Sequence, residues 1–285
     1  MRVIVTGAQG QLGSAMVAAV PDGVEVVASA RTDMDLADQS AVSRALERIR
    51  PDWIVNCAAY TDVDGAETDG ATAMSVNADA VKIFADYCRA ANARLMQVST
   101  DCVFDGRSGR AYRPDDERGP ISMYGRSKSL GEDAAGADAA IVRVSWLYDA
   151  GHSNFVTRMV ELMRDRDVLK VVDDQRGSPG YVPEIVRAMW LLIEAGKDGT
   201  LHLCDRGVVS RWEWAVAIAE EAVRLGVIER APEIVPVPSE QFPTLANRPA
   251  NSALDTTSAQ DAINWKPSDW RDNLARMMKR QYAHG

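Results

Sequence analysis

Two side chains near the middle of the sequence have the types and the spacing needed to move a proton. Tyr124 and Lys128 stand four residues apart in a segment that predicts a helix, so both project from one helix face. A phenol ordinarily titrates near pH ~10, and a nearby ammonium lowers that pKa by stabilising the phenolate. Such a pair can pass a proton to a carbonyl oxygen while a hydride reaches the carbon. Thr100, at the end of a predicted strand, could hydrogen-bond the same oxygen and orient the carbonyl.

Three glycines near the start of the chain predict a dinucleotide site. Gly7, Gly10 and Gly13 lie between a predicted strand, Val3–Thr6, and a predicted helix. Glycine permits the tight turn and lets backbone N–H groups, including those of Gln11 and Leu12, approach a pyrophosphate at the helix N-terminus. The spacing is G-x-x-G-x-x-G rather than the commoner G-x-G-x-x-G, and the surrounding alternation of strands and helices supports the interpretation.

The end of the second predicted strand bears on the choice between NADPH and NADH. An acidic residue there would bind the adenosine ribose of NAD, but the position holds Ala30, and Arg31 follows. Arg31 could hold the 2′-phosphate of NADP, although a solvated surface arginine would look the same in the sequence. Asp35 and Leu36 would then flank the adenine. The middle of the cofactor would be lined by residues after the third strand, namely Ala58, Ala59 and Tyr60.

The elements that must position these side chains form an alternating series. Short apolar runs alternate with helical patterns up to about residue 145, which predicts a parallel sheet covered by helices on both faces. We therefore expect an α/β fold, a Rossmann-type doubly wound parallel sheet with a smaller C-terminal α/β substrate domain. Residues 1–145 would form the nucleotide domain, with a later segment, about 165–205, returning to it. Residues 146–285 would mainly form the substrate domain.

Composition excludes several classes of protein. The 285 residues allow one large domain or two closely joined ones at ~100–200 residues each. The net charge of −9 argues against nucleic acid or an anionic membrane surface as the main partner. No apolar stretch predicts a signal peptide or a membrane helix. The four cysteines lack C-x-x-C spacing and the three histidines are scattered, so we predict no metal site, reduced thiols and a cytoplasmic protein.

Several blocks together resemble the extended short-chain dehydrogenases/reductases and, more closely, the dTDP-4-dehydrorhamnose reductases. The first four would suit many extended reductases, and the last two are more specific. The blocks that carry the resemblance are Val5–Gly13, Asn56–Asp64, Ser99–Gly106, Tyr124-x-x-x-Lys128, Arg143–Tyr148, Asp173–Pro179 and Arg248–Ser252.

The resemblance implies an NAD(P)H-dependent reduction of a dTDP-linked 4-keto-6-deoxyhexose. Tyr124 would protonate the 4-oxygen, while Lys128 would tune Tyr124 and hold the nicotinamide ribose. Thr100 and Asp101 would position the sugar and Trp146 would pack against it. In a net acidic chain the diphosphate needs a local cation, for which Arg248 is a candidate. A homodimer is possible.

Three positions depart from the pattern of that family. It usually has tyrosine where this chain has Cys102 and threonine where it has Gly180, both near the expected sugar site. Some members place a metal-binding glutamate where Ala15 stands, which supports the prediction of no metal. Cys102 has no evident histidine partner and is interpreted as a packing residue rather than a nucleophile.

Four alternative functions remain open at this stage. A reductase of another dTDP-4-keto-deoxysugar in a natural-product pathway would suit the departures. A dehydratase would need an acid where Cys102 stands, and an epimerase would show no net consumption of added cofactor. A dinucleotide-binding regulatory subunit, like the beta subunit of methionine adenosyltransferase, would not require Thr100, Tyr124 and Lys128 together.

Overall fold

Strands and helices alternate regularly in the first half of the computed structural model, which describes residues 1–283. In chain order, the elements of this half are β1 (Arg2–Thr6), α1 (Gln11–Ala18), β2 (Glu25–Ser29), α2 (Gln39–Ile49), β3 (Trp53–Asn56), α3 (Gly65–Thr68), α4 (Gly70–Met74), a π turn (Ser75–Asp79), α5 (Ala80–Ala91), β4 (Arg94–Thr100), a 3-10 turn (Asp101–Val103), α6 (Met123–Ala135) and β5 (Ala140–Val144).

The second half contains shorter strands and longer connections. Its elements are β6 (Leu147–Tyr148), α7 (Phe155–Asp165), β7 (Val168–Val172), β8 (Arg176–Gly177), β9 (Gly180–Tyr181), α8 (Val182–Glu194), β10 (Gly199–Leu203), β11 (Val209–Ser210), α9 (Arg211–Arg224), β12 (Glu233–Val237), a 3-10 turn (Ser239–Gln241), α10 (Thr257–Ile263) and α11 (Trp270–Tyr282). Among the described residues, no helix is long and apolar enough to cross a lipid bilayer.

The central sheet has six parallel strands in the order β2-β1-β3-β4-β5-β10. The chain leaves β1 for β2 on one side and then crosses to β3 on the other, so the direction of winding reverses between β1 and β3. A crevice forms at the carboxyl ends of the strands at such a switch point. The predicted doubly wound α/β fold is confirmed, and the predicted site loops follow β1, β3 and β4.

Both faces of the sheet are buried because successive side chains of a strand point in opposite directions. Val3 and Val5 face α1 and α8, whereas Ile4 faces α2 and α5, and all three side chains are fully buried. Continuous apolar runs such as Val3–Val5 are therefore what a strand covered on both faces requires.

A second core lies outside this sheet, and we refer to β7, β12, α7, α9 and α11 as the second lobe. Strand β7 pairs in parallel with β12, and its buried Leu169 and Val171 alternate with more exposed residues. That alternation suits a strand with only one covered face. Within about residues 165–205, α8 and β10 complete the central sheet and its cover, whereas β7 lies in the second lobe.

The helical segment between β3 and β4 is interrupted by the π turn Ser75–Asp79, which separates α4 from α5. Within that turn, Asn77 accepts a hydrogen bond from Tyr60 N at 2.9 Å and donates to Tyr60 O at 3.1 Å and to Ser127 Oγ at 2.9 Å. A π turn within a helix is rare and is frequently found at a functional site. Here it ties the loop after β3 to helix α6, which carries Tyr124 and Lys128.

Candidate active site

A cleft of about 860 Å³ opens at the carboxyl ends of β1, β3, β4 and β5. It gathers every residue that the sequence predicted for the site except Arg248. These lining residues are Gly7, Gly10, Gln11, Leu12, Gly13, Arg31, Asp35, Leu36, Ala58, Ala59, Tyr60, Thr100, Asp101, Tyr124, Lys128 and Trp146. Residues from segments as much as 139 positions apart (146 − 7) thus share one cavity, as parallel-sheet topology requires.

The glycine loop leaves no room for side chains at two of its positions. Gly7 has a positive φ of 63°, and a Cβ placed there would lie 2.8 Å from Ala58 N. A Cβ on Gly13 would lie 2.2 Å from Gly7 O. Helix α1 begins after Gly10, whose lack of a side chain leaves the N–H groups of the first turn for an anion. The cradle therefore fits the pyrophosphate of a dinucleotide.

The adenosine end of the cleft carries an exposed cation, Arg31, directly after Ala30 at the strand end. Ala30 is buried, and its backbone N–H is capped by Asp33 at 2.9 Å. Arg31 is 80% exposed and lies 3.5 Å from the Asp35 carboxylate. An exposed pair of this kind is worth little, about 0–1 kcal/mol, so the guanidinium can turn towards a phosphate at small cost.

Helix α6 places the proton-transfer pair at the floor of the cleft. Ser122 caps the helix by accepting a hydrogen bond from Gly125 N at 3.1 Å. Lys128 is almost fully buried and donates from Nζ to Val98 O at 2.7 Å. Burial lowers the pKa of Lys128 from 10.5 to about 8, against the opposing charge of Glu132.

The pKa of Tyr124 differs from the sequence-based expectation. Burial, followed by the nearby Cys102, raises it above the ordinary value of 10, and a hydrogen bond with Thr100 opposes that rise. The predicted lowering by Lys128 is therefore wrong for this arrangement, since the lysine ammonium is directed to Val98 O and burial dominates. A phenol that stays protonated near neutral pH is suited to donate a proton to a carbonyl oxygen.

The end of β4 presents a hydroxyl and a carboxyl side by side. Thr100 Oγ1 donates to Asp101 Oδ1 at 3.0 Å and accepts from Cys102 N at 3.2 Å. Burial raises the pKa of Asp101, while hydrogen bonds with Ser252 and Thr100 lower it. Ser252 belongs to the Arg248–Ser252 block, so this contact brings that distant block to the site.

The two departures from the family pattern have different structural settings. Burial raises the pKa of the Cys102 thiol to about 12, and because a protonated thiol is a poor nucleophile, a packing role fits. Gly180 is buried outside the cleft lining, and a Cβ there would lie 2.6 Å from Ser145 O. Close approach of two backbone segments therefore accounts for glycine at this position, and its expected place near the sugar stays a prediction.

Trp146 and Arg248 lie on the side of the second lobe. Trp146 has a positive φ of 44° and its indole packs on Gly177, where a Cβ would lie 2.5 Å from the ring. Arg248 does not line the cleft. Its Nη2 donates to Asp64 Oδ2 at 2.7 Å, and Ala246 N donates to Asp64 Oδ1 at 2.9 Å. Asp64 thereby fixes the segment around residue 248 to the loop after β3.

A buried ion pair supports the site from behind, and the sequence analysis missed it. Glu132 receives two hydrogen bonds from Arg143, at 2.8 Å and 2.7 Å, and one from Ser99 Oγ at 2.5 Å. Arg143 also contacts His202 Nε2 at 3.3 Å, and burial lowers the pKa of that histidine to about 3. The only signal in the sequence was Glu132 standing one helical turn after Lys128.

The cleft contains no evident metal site. In residues 1–283, three or more His, Cys, Asp or Glu side chains nowhere come together in a way that could hold an ion. The cleft instead brings together a glycine cradle, a buried phenol, a lysine and a strand-end hydroxyl, a set that suits reduction of a carbonyl group with a dinucleotide.

Comparison with known proteins agrees with this geometry. A family model described as the RmlD substrate binding domain matches residues 1–283. A dTDP-4-dehydrorhamnose reductase of Aggregatibacter actinomycetemcomitans is 36% identical, over 99% of both chains. One of Mycobacterium tuberculosis is 41% identical over 96% of this chain and 91% of its own length. The matches confirm the resemblance found in the motifs.

A solved structure gives the same result in three dimensions. The dTDP-4-dehydrorhamnose reductase of Bacillus anthracis, crystallised in complex with NADP, superimposes with a TM-score of 0.91 and 32% sequence identity. The alignment covers 98% of this chain and 99% of that one. The likeness therefore extends over both lobes.

Proposed function

The chain belongs to the RmlD substrate-binding-domain family, and on that premise we propose that it is an NAD(P)H-dependent dTDP-4-dehydrorhamnose reductase. It would reduce the 4-keto group of dTDP-4-dehydro-L-rhamnose to give dTDP-L-rhamnose. The observation that carries this proposal is the single cleft in which the glycine cradle, Tyr124, Lys128 and Thr100 all meet. The relatives named dTDP-4-dehydrorhamnose reductase, at 36% and 41% identity, support this choice of substrate.

The chain's own residues divide the work of the reduction. When bound, the reduced nicotinamide supplies a hydride to the carbonyl carbon. The Thr100 hydroxyl, which donates to Asp101 Oδ1 in the structure, would turn to the carbonyl oxygen and orient the carbonyl by donating to it. The Tyr124 hydroxyl gives its proton to that oxygen as negative charge develops, and the resulting phenolate regains a proton from solvent. Lys128, while protonated, would hold the nicotinamide ribose, and it would stabilise the phenolate once its ammonium turns from Val98 O towards the cleft.

The substrate would lie between the end of β4 and the second lobe, which we propose as the substrate-binding part of the chain. Asp101 would accept hydrogen bonds from the sugar, and Trp146 would cover one face of it. Arg248, which the Asp64 carboxylate holds at 2.7 Å, would reach the diphosphate. Because Asp64 follows β3 and Arg248 comes from the other end of the chain, this contact closes the site across the two lobes.

The proposal includes either reduced nicotinamide cofactor, with Arg31 as the residue that would favour NADPH. Its guanidinium is exposed at the adenosine end of the cleft, and the Bacillus anthracis neighbour was solved with NADP. A cytoplasmic location is part of the same proposal, since the four cysteines are unpaired in the structure and free thiols suit a reducing compartment.

The experiment that tests this function follows the absorbance of reduced nicotinamide during turnover. The substrate is dTDP-4-keto-6-deoxyglucose, offered with and without the 3,5-epimerase that converts it to the L-sugar, and with NADPH or NADH. We expect consumption only when the epimerase is present. Consumption without it would instead identify a reductase of a D-configured keto-sugar. Cofactor binding without turnover under both conditions would contradict the proposal and favour a regulatory subunit.

A further inference from the structure

Arg211 occupies an unusual place beside the site that no sequence motif indicated. It is the first residue of α9, and its guanidinium carbon lies 3.5 Å from the centre of the Trp146 ring. The same carbon lies 5.1 Å from the Phe155 ring and 5.9 Å from the Trp214 ring. Three aromatic side chains thus hold the guanidinium in one position, and Trp146 itself lines the cleft.

The charge of Arg211 is not matched by a partner of its own. Within residues 1–283, Arg211 forms no ion pair with a carboxylate, whereas Arg248 pairs with Asp64 and Arg176 with Glu213. Burial, with a smaller contribution from the nearby Arg248, lowers the pKa of Arg211 to about 10, against the opposing charge of Asp101. The side chain therefore remains a cation at neutral pH, partly desolvated and next to a second cation.

Both guanidinium groups act on the same small region at the end of β4. The charges of Arg248 and Arg211 each favour the ionised form of the Cys102 thiol, so both cations lie near that residue. Cys102 directly follows Thr100 and Asp101 in the chain. The two cations are therefore close to Thr100, the residue that would orient the substrate carbonyl. Two like charges held together in a chain of net charge −9 are relieved by a bound anion.

We propose that Arg211 is a second diphosphate-binding residue of the nucleotide-sugar site, which acts together with Arg248. A diphosphate offers adjacent anionic oxygens, and the fork of an arginine donates two parallel hydrogen bonds to such oxygens. The aromatic cage fixes the guanidinium before the substrate arrives, so little side-chain entropy is lost on binding. This inference rests on the proposed function, because it assigns the phosphates of the same substrate.

A purely structural role for Arg211 makes a different prediction. If the guanidinium only held the Trp146 ring in place, its loss would alter the fit of the sugar but not the affinity for a nucleotide that lacks the sugar. Arg211→Met keeps most of the length and the contact with the ring while it removes the charge. Arg211→Lys keeps the charge but removes the planar fork.

The test measures the binding of dTDP, of thymidine and of NADPH by calorimetry, together with steady-state kinetics. For Arg211→Met we expect the Kd of dTDP and the KM of the keto-sugar nucleotide to rise about 10- to 100-fold, which corresponds to the loss of a hydrogen bond to a charged group. We expect an unchanged Kd for thymidine and for NADPH. Arg211→Lys should lie between the wild type and Arg211→Met.

A matched control is available in the same lobe. Arg271 also stacks on a tryptophan, with its guanidinium carbon 4.7 Å from the Trp270 ring, but it is exposed and pairs with Glu220 at 3.4 Å. Arg271→Met should leave every constant unchanged. NADPH binding by each variant reports that the protein is folded.

The outcomes separate this inference from the proposed function. A dTDP affinity of Arg211→Met within about twofold of the wild type would overturn the inference, even if kcat falls. A wild-type protein that binds dTDP, and loses that affinity in Arg211→Met, but does not reduce the keto-sugar would support the anion site and contradict the reductase proposal.

Discussion

Tyr124 is the residue whose hydroxyl can be removed with the least disturbance to its surroundings. Tyr124→Phe keeps the ring that packs in α6 and removes the only proposed proton donor to the substrate oxygen. We expect kcat to fall about 10²- to 10⁴-fold, the usual contribution of a positioned acid, with the Kd of NADPH unchanged. Tyr87→Phe, on the far side of α5, is the matched control and should keep full turnover.

Lys128 gives the reaction a predictable dependence on pH. Its pKa is lowered from 10.5 to about 8 by burial, so its ammonium is present below pH 8 and is lost as the pH rises through that value. Because Tyr124 keeps a raised pKa, it remains protonated over the same range. We therefore expect kcat/KM to be level up to neutral pH and to fall, with loss of one proton, near pH 8.

The variant Lys128→Met tests whether Lys128 causes the decline of kcat/KM near pH 8. It should have a lower kcat/KM at every pH and no alkaline decline, since the titrating group is gone. If the decline near pH 8 persists in Lys128→Met, another group controls it and the proposed role of the ammonium is incorrect. The measurement is a series of initial rates between about pH 6 and pH 10, with NADPH saturating.

Site residues that are marked by a local sequence pattern could be recognised without the structure. Tyr124 and Lys128 follow from helical spacing, and the three glycines follow from their position after a strand. Arg211 and Glu132 could not be recognised, because their significance lies in what they meet: Trp146 for one and Arg143 for the other. Those partners are 65 residues (211 − 146) and 11 residues (143 − 132) away in the chain.

At the scale of elements, the glycine loop depends on the close approach of β1 and α1. A Cβ on Gly13 would lie 2.2 Å from Gly7 O and 3.1 Å from the Ala8 Cα, and backbone atoms cannot move aside as a side chain can. We expect Gly13→Ala to raise the Kd of NADPH at least about tenfold and to lower the free energy of unfolding by about 1–3 kcal/mol. Isothermal titration and urea unfolding measure the two effects.

Substitutions at two further glycines should have smaller effects than Gly13→Ala. Gly10→Ala places its Cβ 3.2 Å from the same carbonyl, so its effect should be smaller, while a Cβ on Gly109 meets nothing within 4 Å. Gly109→Ala should match the wild type in both measurements. If Gly13→Ala also matched the wild type, the loop would have room that the structure does not show.

Element boundaries were predictable where local capping decides them. Asp38 accepts a hydrogen bond from Ala41 N at 3.0 Å and Ser210 accepts one from Glu213 N at 3.0 Å, and Asp and Ser are residue types that favour this position at a helix start. The π turn at Ser75–Asp79 was not predictable, because its Asn77 is held by distant Tyr60 and Ser127. The two-residue strands β6 and β9 likewise exist only through their mutual pairing.

At the scale of the whole molecule, a few polar side chains connect the central sheet to the second lobe. Asn154, which caps α7, donates to Gln11 Oε1 at 3.2 Å, and Ser14 Oγ contacts His152 Nε2 at 3.3 Å. The glycine cradle is thus fixed to the second lobe as well as to its own strand. Asp205, directly beyond β10, makes the most deeply buried of these connections.

Asp205 is surrounded by donors from three elements. Its carboxylate accepts hydrogen bonds from Tyr148 Oη at 2.8 Å, Tyr181 N at 3.2 Å and Asn273 Nδ2 at 2.8 Å. Burial nevertheless raises its pKa from 3.8 to about 7, with the hydrogen bonds opposing the rise. Tyr148 and Tyr181 lie in β6 and β9, and Asn273 lies in α11, so the charge state of one carboxyl affects the junction of the two lobes.

The raised pKa makes the stability of the whole chain depend on this carboxyl. Between about pH 4 and pH 7 the folded protein keeps the proton on Asp205 while the unfolded chain has released it, so the free energy of unfolding falls as the pH rises and levels off above pH 7. Each pKa unit is worth about 1.4 kcal/mol. The total decrease in the free energy of unfolding across this pH range is therefore roughly 4 kcal/mol. Carboxyls with lowered pKa values, such as Asp116 at about 2, act in the opposite direction.

Asp205→Asn isolates the contribution of Asp205 from those other carboxyls. The amide oxygen can accept from Tyr181 N and Asn273 Nδ2, and the amide nitrogen can donate to Tyr148 Oη, so the hydrogen bonds survive without a titrating group. Urea unfolding of both proteins at pH 5, 6, 7 and 8 should show the wild type losing stability relative to the variant up to pH 7. A difference that stayed constant across this range would mean that Asp205 is ionised in the folded protein throughout. In that case its three donors outweigh its burial, and the junction between the lobes is held by a charged carboxylate.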